Sequence, residues 1–219
     1  SGEIEQIKSK LFFSKLIDSL DLSVSYYSAG KVLKDEMYKR STFRVALSSI
    51  NKFHYDTPIY FDFVNKNQYS ILIDNPGKAK ATGTFGVPLE VDGTMLTIVK
   101  TKHFVENDGN DYYFVINSKA SLIEYISKNI QVDPLNFNAN TIRISFQDYN
   151  ALKAHEIVNK IDSLYITYSN QQKNLANKQK IDWLNNELAQ VETRMGGFED
   201  YFENFTLKNK SSDLTLDLK

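Results

Sequence analysis

The sequence predicts an α+β fold, with a mixed or antiparallel β-sheet base, packed helices and a long C-terminal helical arm. Three observations predict it. Strict apolar–polar alternation dominates residues 58–117, as in half-buried strands. Apolar residues spaced three and four apart mark both the opening and the stretch after Ser118, as on one helix face. From Asp148 to about Asn209 there is no proline, and a heptad of apolar residues is sustained. The division predicted is a base domain at 3–147 and a long helix at 148–219.

At the start, Ile4, Ile7, Leu11, Phe12, Leu16, Ile17 and Leu20 predict one helix over residues 3–20. Leu22 to Tyr26 alternates as a strand, and Phe43 to Leu47 predicts another. Ile59–Phe63 and Tyr69–Ile73 are rich in strand-favouring residues. Asn65 to Asn67 reads as the hairpin turn between them, and Asn75-Pro76-Gly77 as a break after them. Thr84–Val91 and Met95–Lys100 predict a second pair around Asp92-Gly93, a dipeptide suited to two-residue hairpin loops. Asn107 to Asp111 reads as a polar turn, and Tyr112–Ile116 as a strand. Ser118 or Ser121 is suited to cap a helix running through Leu122, Ile123 and Ile126, which Asp133-Pro134 should break. Thr141 to Phe146 alternates cleanly and predicts a strand.

The rest reads as helix. Leu184, Leu188, Val191, Met195, Phe198, Phe202 and Phe205 are spaced 4, 3, 4, 3, 4, 3, which forms a helix-seam interface. Gly196-Gly197 should cost about 1 kcal/mol each inside a helix. Burying seven seam residues contributes about 1.5–3 kcal/mol apiece, so a covering partner outweighs the glycines. The seam therefore asks for a second helix, from another chain or from residues beyond 219.

Composition excludes several classes of function. The 26 Lys and Arg against 27 Asp and Glu lack the basic footprint of a nucleic-acid binder. With no cysteine there is no disulfide, thiolate metal site or cysteine nucleophile. No apolar run approaches the ~20 residues of a membrane helix, and no signal peptide opens the chain. Ser1-Gly2 reads as an expression scar.

Candidate chemistry is sparse. His54, His103 and His155 lack zinc-type spacing and read as surface or capped histidines. Gly83-Thr84-Phe85-Gly86 lacks the third glycine, the helix and the lysine of a phosphate loop, and a bend at strand ends explains it better. Glu199, Asp200 and Glu203 fall between seam positions, where a solvated face is the ordinary outcome. The many tyrosines and phenylalanines would suit sugar stacking, but their alternation favours a core. The sequons at Asn204 and Asn209 read as coincidence. No catalytic, cofactor-binding or metal residue is expected, and this stretch is read as non-enzymatic.

Two stretches nevertheless point to a family. Residues 4–27, IEQIKSKLFFSKLIDSLDLSVSYY, resemble the segment after the first membrane helix of Wzz-type chain-length determinants, the polysaccharide co-polymerases, and of related exopolysaccharide tyrosine autokinases. From Asn140 onward, NTIRISFQDYNALKAHEIVNKIDSLYITYSNQQKNLANKQKIDWLNNELAQVE is similar to that family's strand and following helix, and Ser212 to Leu216 looks like its "vDL" signature. DEMYKRSTFRVAL (35–47) and FGVPLEVDGTMLTIVK (85–100) resemble two elements between them. The resemblance runs collinearly over nearly the whole chain.

The resemblance implies an α/β base beside the bacterial inner membrane, on its periplasmic face, and a long helix that forms the first arm of a helical hairpin. It implies flanking membrane helices, a ring-shaped homo-oligomer, and control of the length of capsular, exopolysaccharide or O-antigen chains by scaffolding. Its partners would be a polysaccharide polymerase, outer-membrane export machinery and the polysaccharide itself. In the autokinase branch, the external domain serves as sensor or scaffold for a cytoplasmic tyrosine kinase. A periplasmic adaptor of an efflux or secretion pump is a third reading. It is disfavoured because no lipoyl-like β motif with glycine-rich half-sites flanks the helix.

Overall fold

The computed structural model describes residues 2–29, 34–73, 79–105, 109–136 and 141–209. The chain divides into two compact units, Ser1–Leu164 and Tyr165–Lys219. The fold is α+β.

The first unit is built on antiparallel strands. Six of them are β1 (Val24–Ala29), β2 (Lys34–Glu36), β4 (Pro58–Phe63), β5 (Gln68–Ile73), β6 (Ala79–Thr84) and β9 (Asp111–Ile116). They form one sheet in the order β2-β1-β9-β4-β5-β6. A second sheet, β3-β8-β7, joins β3 (Phe43–Ser49), β8 (Thr94–Lys100) and β7 (Pro88–Val91). The strands β10 (Ile130–Asn136) and β11 (Thr141–Phe146) make a separate pair. Among the described residues every strand pair is antiparallel, apart from one isolated parallel bridge between Tyr55 and Ile116.

The alternation predicted from sequence determines how the two larger sheets meet. Ile59, Phe61, Tyr69, Ile71, Ile73, Tyr112, Phe114 and Ile116 all point to one face of the six-stranded sheet. There they form one core with Phe43, Val91, Leu96 and Ile98 from the other sheet. Phe43 is the centre of the aromatic packing: it stacks on Phe61 at 4.0 Å and meets Tyr112 and Phe114 edge-on. Most aromatic residues on the strands of these two sheets are core, as the alternation suggested. Tyr27, Tyr60 and Tyr113 lie on the opposite face, and Phe53, Tyr149 and Trp183, off the sheets, are exposed.

The turns follow from side-chain chemistry. Asn65 Oδ1 accepts from the backbone N–H groups of Asn67 and Gln68, closing the β4–β5 hairpin. Asp92 and Gly93 both adopt positive φ, 47° and 75°, as a two-residue hairpin loop requires. The strand expected over Thr84–Val91 is instead divided. Gly86 turns at φ 80°, so β6 pairs with β5 while β7 crosses to β8. This is the bend foreseen for Gly83 to Gly86.

The opening helix is also two helices, α1 (Gly2–Ile7) and α2 (Lys10–Asp18). Ser9 interrupts them because it adopts an extended backbone and its Oγ accepts from Phe12 N–H, starting a new helix. Helix α3 (Lys119–Asn129) begins as expected, with Ser118 as its N-cap. It stops at Ile130, before the proline, and Asp133-Pro134 lies within strand β10. Asn75-Pro76-Gly77, part of the turn at 107–111 and the Ser212–Leu216 signature lie outside the described residues.

Helix α4 (Ala151–Asn209) begins three residues after Asp148 and runs without interruption. Asn150 Oδ1 caps it by accepting from Lys153 N–H at 3.1 Å. Its first turns belong to the base unit, where Ile157 and Ile161 are fully buried.

Candidate functional site

The second unit consists, among the described residues, of α4 from Tyr165 onward. All seven predicted seam residues fall on this helix and all are exposed, from 42% for Val191 to 72% for Phe198. A helix presents positions three and four apart on one side, so they form one stripe. Ile181, which is 57% exposed and three residues before Leu184, extends the stripe by one position. The sequence reading omitted it, although the same spacing rule includes it. Beside the stripe, Tyr201 stacks on Phe205 at 6.5 Å between ring centres.

Gly196 and Gly197 do not break the helix. A Cβ added at either would meet nothing within 4 Å. Among the described residues, no packing therefore requires glycine at these positions. Arg194, Gly197, Phe198 and Tyr201 line a shallow hollow of about 440 Å³ beside the missing side chain. Glu199, Asp200 and Glu203 are exposed on the same helix.

Several charges of the base unit are held in structural pairs. Lys153 Nζ lies 2.8 Å from Glu36 Oε1 and 3.8 Å from Asp148 Oδ2, and 4.5 Å above the Tyr125 ring. Tyr125 donates its hydroxyl to Asp148. Burial, together with that hydrogen bond to a carboxylate, pushes the Tyr125 phenol far above its ordinary value. Burial and the nearby Glu36 raise Tyr27 to about 12. One turn further along α4, Glu156 accepts from Tyr38 at 2.7 Å and from Lys39 at 2.6 Å. Burial opposes ionisation of Glu156, but those two bonds outweigh it and hold its carboxyl below the ordinary value.

The histidines are not assembled into a reactive group. His54 is fully buried rather than at the surface; its Nδ1 lies 2.6 Å from Thr94 Oγ1 and its Nε2 3.0 Å from Asp92 Oδ2. Both nitrogens thus support the Asp92-Gly93 turn. His103 is exposed, and exposed His155 Nε2 lies 2.9 Å from Asn159 Nδ2. Among the described residues, no three His, Asp or Glu side chains gather where they could hold a metal ion. None of the described helices is long and apolar enough to cross a membrane.

No protein-family model matches the chain. The chain is similar to a protein of Klebsiella pneumoniae provisionally named as a tyrosine-protein kinase in the cps region. The two are 23% identical over 226 residues, covering 99% of this chain and 31% of that protein. The chain thus spans under a third of that relative's length.

Proposed function

We propose that this chain is the external, periplasmic domain of a protein that sets the length of capsular or related exported polysaccharide, acting as an oligomeric scaffold without catalysis. The observation that carries the reading is the uncovered seam on α4, from Leu184 to Phe205. A stripe of that size in water is unfavourable, at about 25 cal/mol for each Å² of apolar surface left exposed. A second helix along it removes the cost, and the heptad spacing suits helix-on-helix packing. The distant likeness to a protein named for the cps region supports a capsule-related setting.

In this reading several copies stand together on their base units, and the paired helices form the wall of the assembly. Polymer length then follows from how long the assembly holds the polymerase and export machinery together. Membrane helices outside these residues would anchor it. The test is Leu188→Glu with Phe198→Glu in the complete protein of the producing cell. The polysaccharide length distribution should change while protein level stays normal. An unchanged distribution at normal level would refute the scaffold.

A second reading is favoured by the relative's name: the external sensor or scaffold of a tyrosine autokinase. Here the same charged seam would lower tyrosine phosphorylation of the complete protein. A gene with no phosphate-loop kinase segment would eliminate it.

A further inference from the structure

The outward face of the six-stranded sheet carries a row that no sequence pattern announces. Register places Glu36 opposite Tyr27, Tyr27 opposite Tyr113, Tyr113 opposite Tyr60, Tyr60 opposite Leu72, and Leu72 opposite Lys80. The row crosses all six strands. Its Glu36 end is closed by Lys153. The other end is open, with Tyr60 48% exposed and Lys80 also exposed. Tyr27 stacks on Tyr113 at 4.7 Å, and Tyr60 tilts against Tyr113 at 6.1 Å. Beside the row the strands carry small or short polar residues, Ala29 and Ser70, flanked by exposed Asp62 and Asp111. From Tyr113 to Lys80, the row and these neighbours line a concavity of about 350 Å³; Tyr27 and Glu36 lie outside it.

We propose that this concavity is a glycan-binding site for a neutral pyranose polymer running across the strands. Three features support that ligand. Adjacent strands lie about 4.8 Å apart, close to the length of one pyranose ring, so a sugar chain crossing the sheet meets a new strand with each residue. The tyrosine rings offer apolar faces to sugar C–H groups and hydroxyls to sugar oxygens. No side-chain hydrogen bond or ion pair engages Asp62, Asp111 or Lys80 among the described residues, so both carboxylates are available to accept from sugar hydroxyls. A protein surface laid over the same face would bury those carboxylates, which is costly unless each is paired. A polyanionic glycan would be repelled by them. The proposal goes beyond the scaffold reading, which requires no sugar contact, so either can fail without the other.

The test is affinity electrophoresis of the whole chain through gels containing dextran, hydroxyethylcellulose, xylan or galactomannan. At least one should retard it. Tyr60→Ala should weaken that retardation about tenfold or more, the equivalent of ~1.4 kcal/mol. Asp62→Asn, a change at an exposed side chain that leaves the core intact, should weaken it as well. Lack of retardation in all four gels would overturn the proposal. So would retardation that survives both substitutions, or a dimer in sedimentation that Tyr60→Ala dissolves without any sugar effect.

Discussion

Lys153 Nζ and Glu36 Oε1 stand 2.8 Å apart with their side chains only 7% and 15% exposed, joining the first turn of α4 to the edge strand β2. Asp148, 5% exposed, is the other carboxylate near the ammonium. Removing the lysine leaves two buried carboxylates without their cation. Lys153→Met should therefore cost about 3–5 kcal/mol in urea unfolding. Adding Glu36→Gln should recover part of that loss, because one orphaned charge is gone. A loss under about 1 kcal/mol for the single variant would show that water reaches the pair.

Acid should loosen the same region. Glu156 is held below its ordinary value of 4.5: burial opposes its charge, but the bonds from Lys39 and Tyr38 outweigh that. Asp56 is held below 3.8: burial again opposes the charge, and the Ser118 and Ser121 bonds at the start of α3 win. A carboxyl depressed in the folded state contributes stability above its unfolded value and loses it as pH falls through the folded one. Unfolding midpoints should therefore be level near neutrality and drop below about pH 4.5. Glu156→Gln should flatten part of that drop, whereas Glu199→Gln, on the exposed part of α4, should not. Equal profiles for the three proteins would remove Glu156 from the explanation.

Gly83 shows how closely the Tyr69 ring lies over its cross-strand partner in the six-stranded sheet. A Cβ at residue 83 would fall 2.5 Å from both Cζ and the hydroxyl of that fully buried ring. Tyr69 is itself stacked on Phe61 at 5.7 Å and tilted against Phe85 at 5.0 Å, which limits its retreat. Gly83→Ala should destabilise by about 1–3 kcal/mol, the usual range for overpacking. Tyr69→Phe with Gly83→Ala should be better tolerated than Gly83→Ala alone, since one of the three clashing atoms is gone. A neutral Gly83→Ala in chemical unfolding would mean that the ring moves freely.

The elements most legible in the sequence were those whose signal is local. The Ser118 cap, the Asp92-Gly93 turn and the Thr141–Phe146 strand depend on neighbours within a few residues. Ser9 was hidden because Ile7, Leu11 and Phe12 keep helical spacing across a chain that nevertheless restarts. Pro134 was misleading because proline is tolerated on an edge strand, and among the described residues β10 pairs with β11 alone. The α4 seam could be read from spacing, and Ile181 could have been included by the same rule. The Tyr27–Tyr113–Tyr60 row could not, because it exists only once β1, β9 and β4 are paired in one register. Period-two alternation says that side chains take opposite faces, without saying which face is core.

The two helical glycines give the last prediction. Open space surrounds both, so alanine meets no obstacle within the chain. Each alanine should stabilise the helix by about 1 kcal/mol, because glycine loses more backbone freedom on ordering. Gly196→Ala with Gly197→Ala should raise the melting of the α4 signal in far-UV circular dichroism, without shifting near-UV bands from the base. If the glycines let another backbone approach, or let the helix flex during assembly, the proposed scaffold role requires that the same pair in the complete protein change the polysaccharide length distribution despite the more stable helix. Destabilisation of the isolated chain would contradict the open space found around both residues.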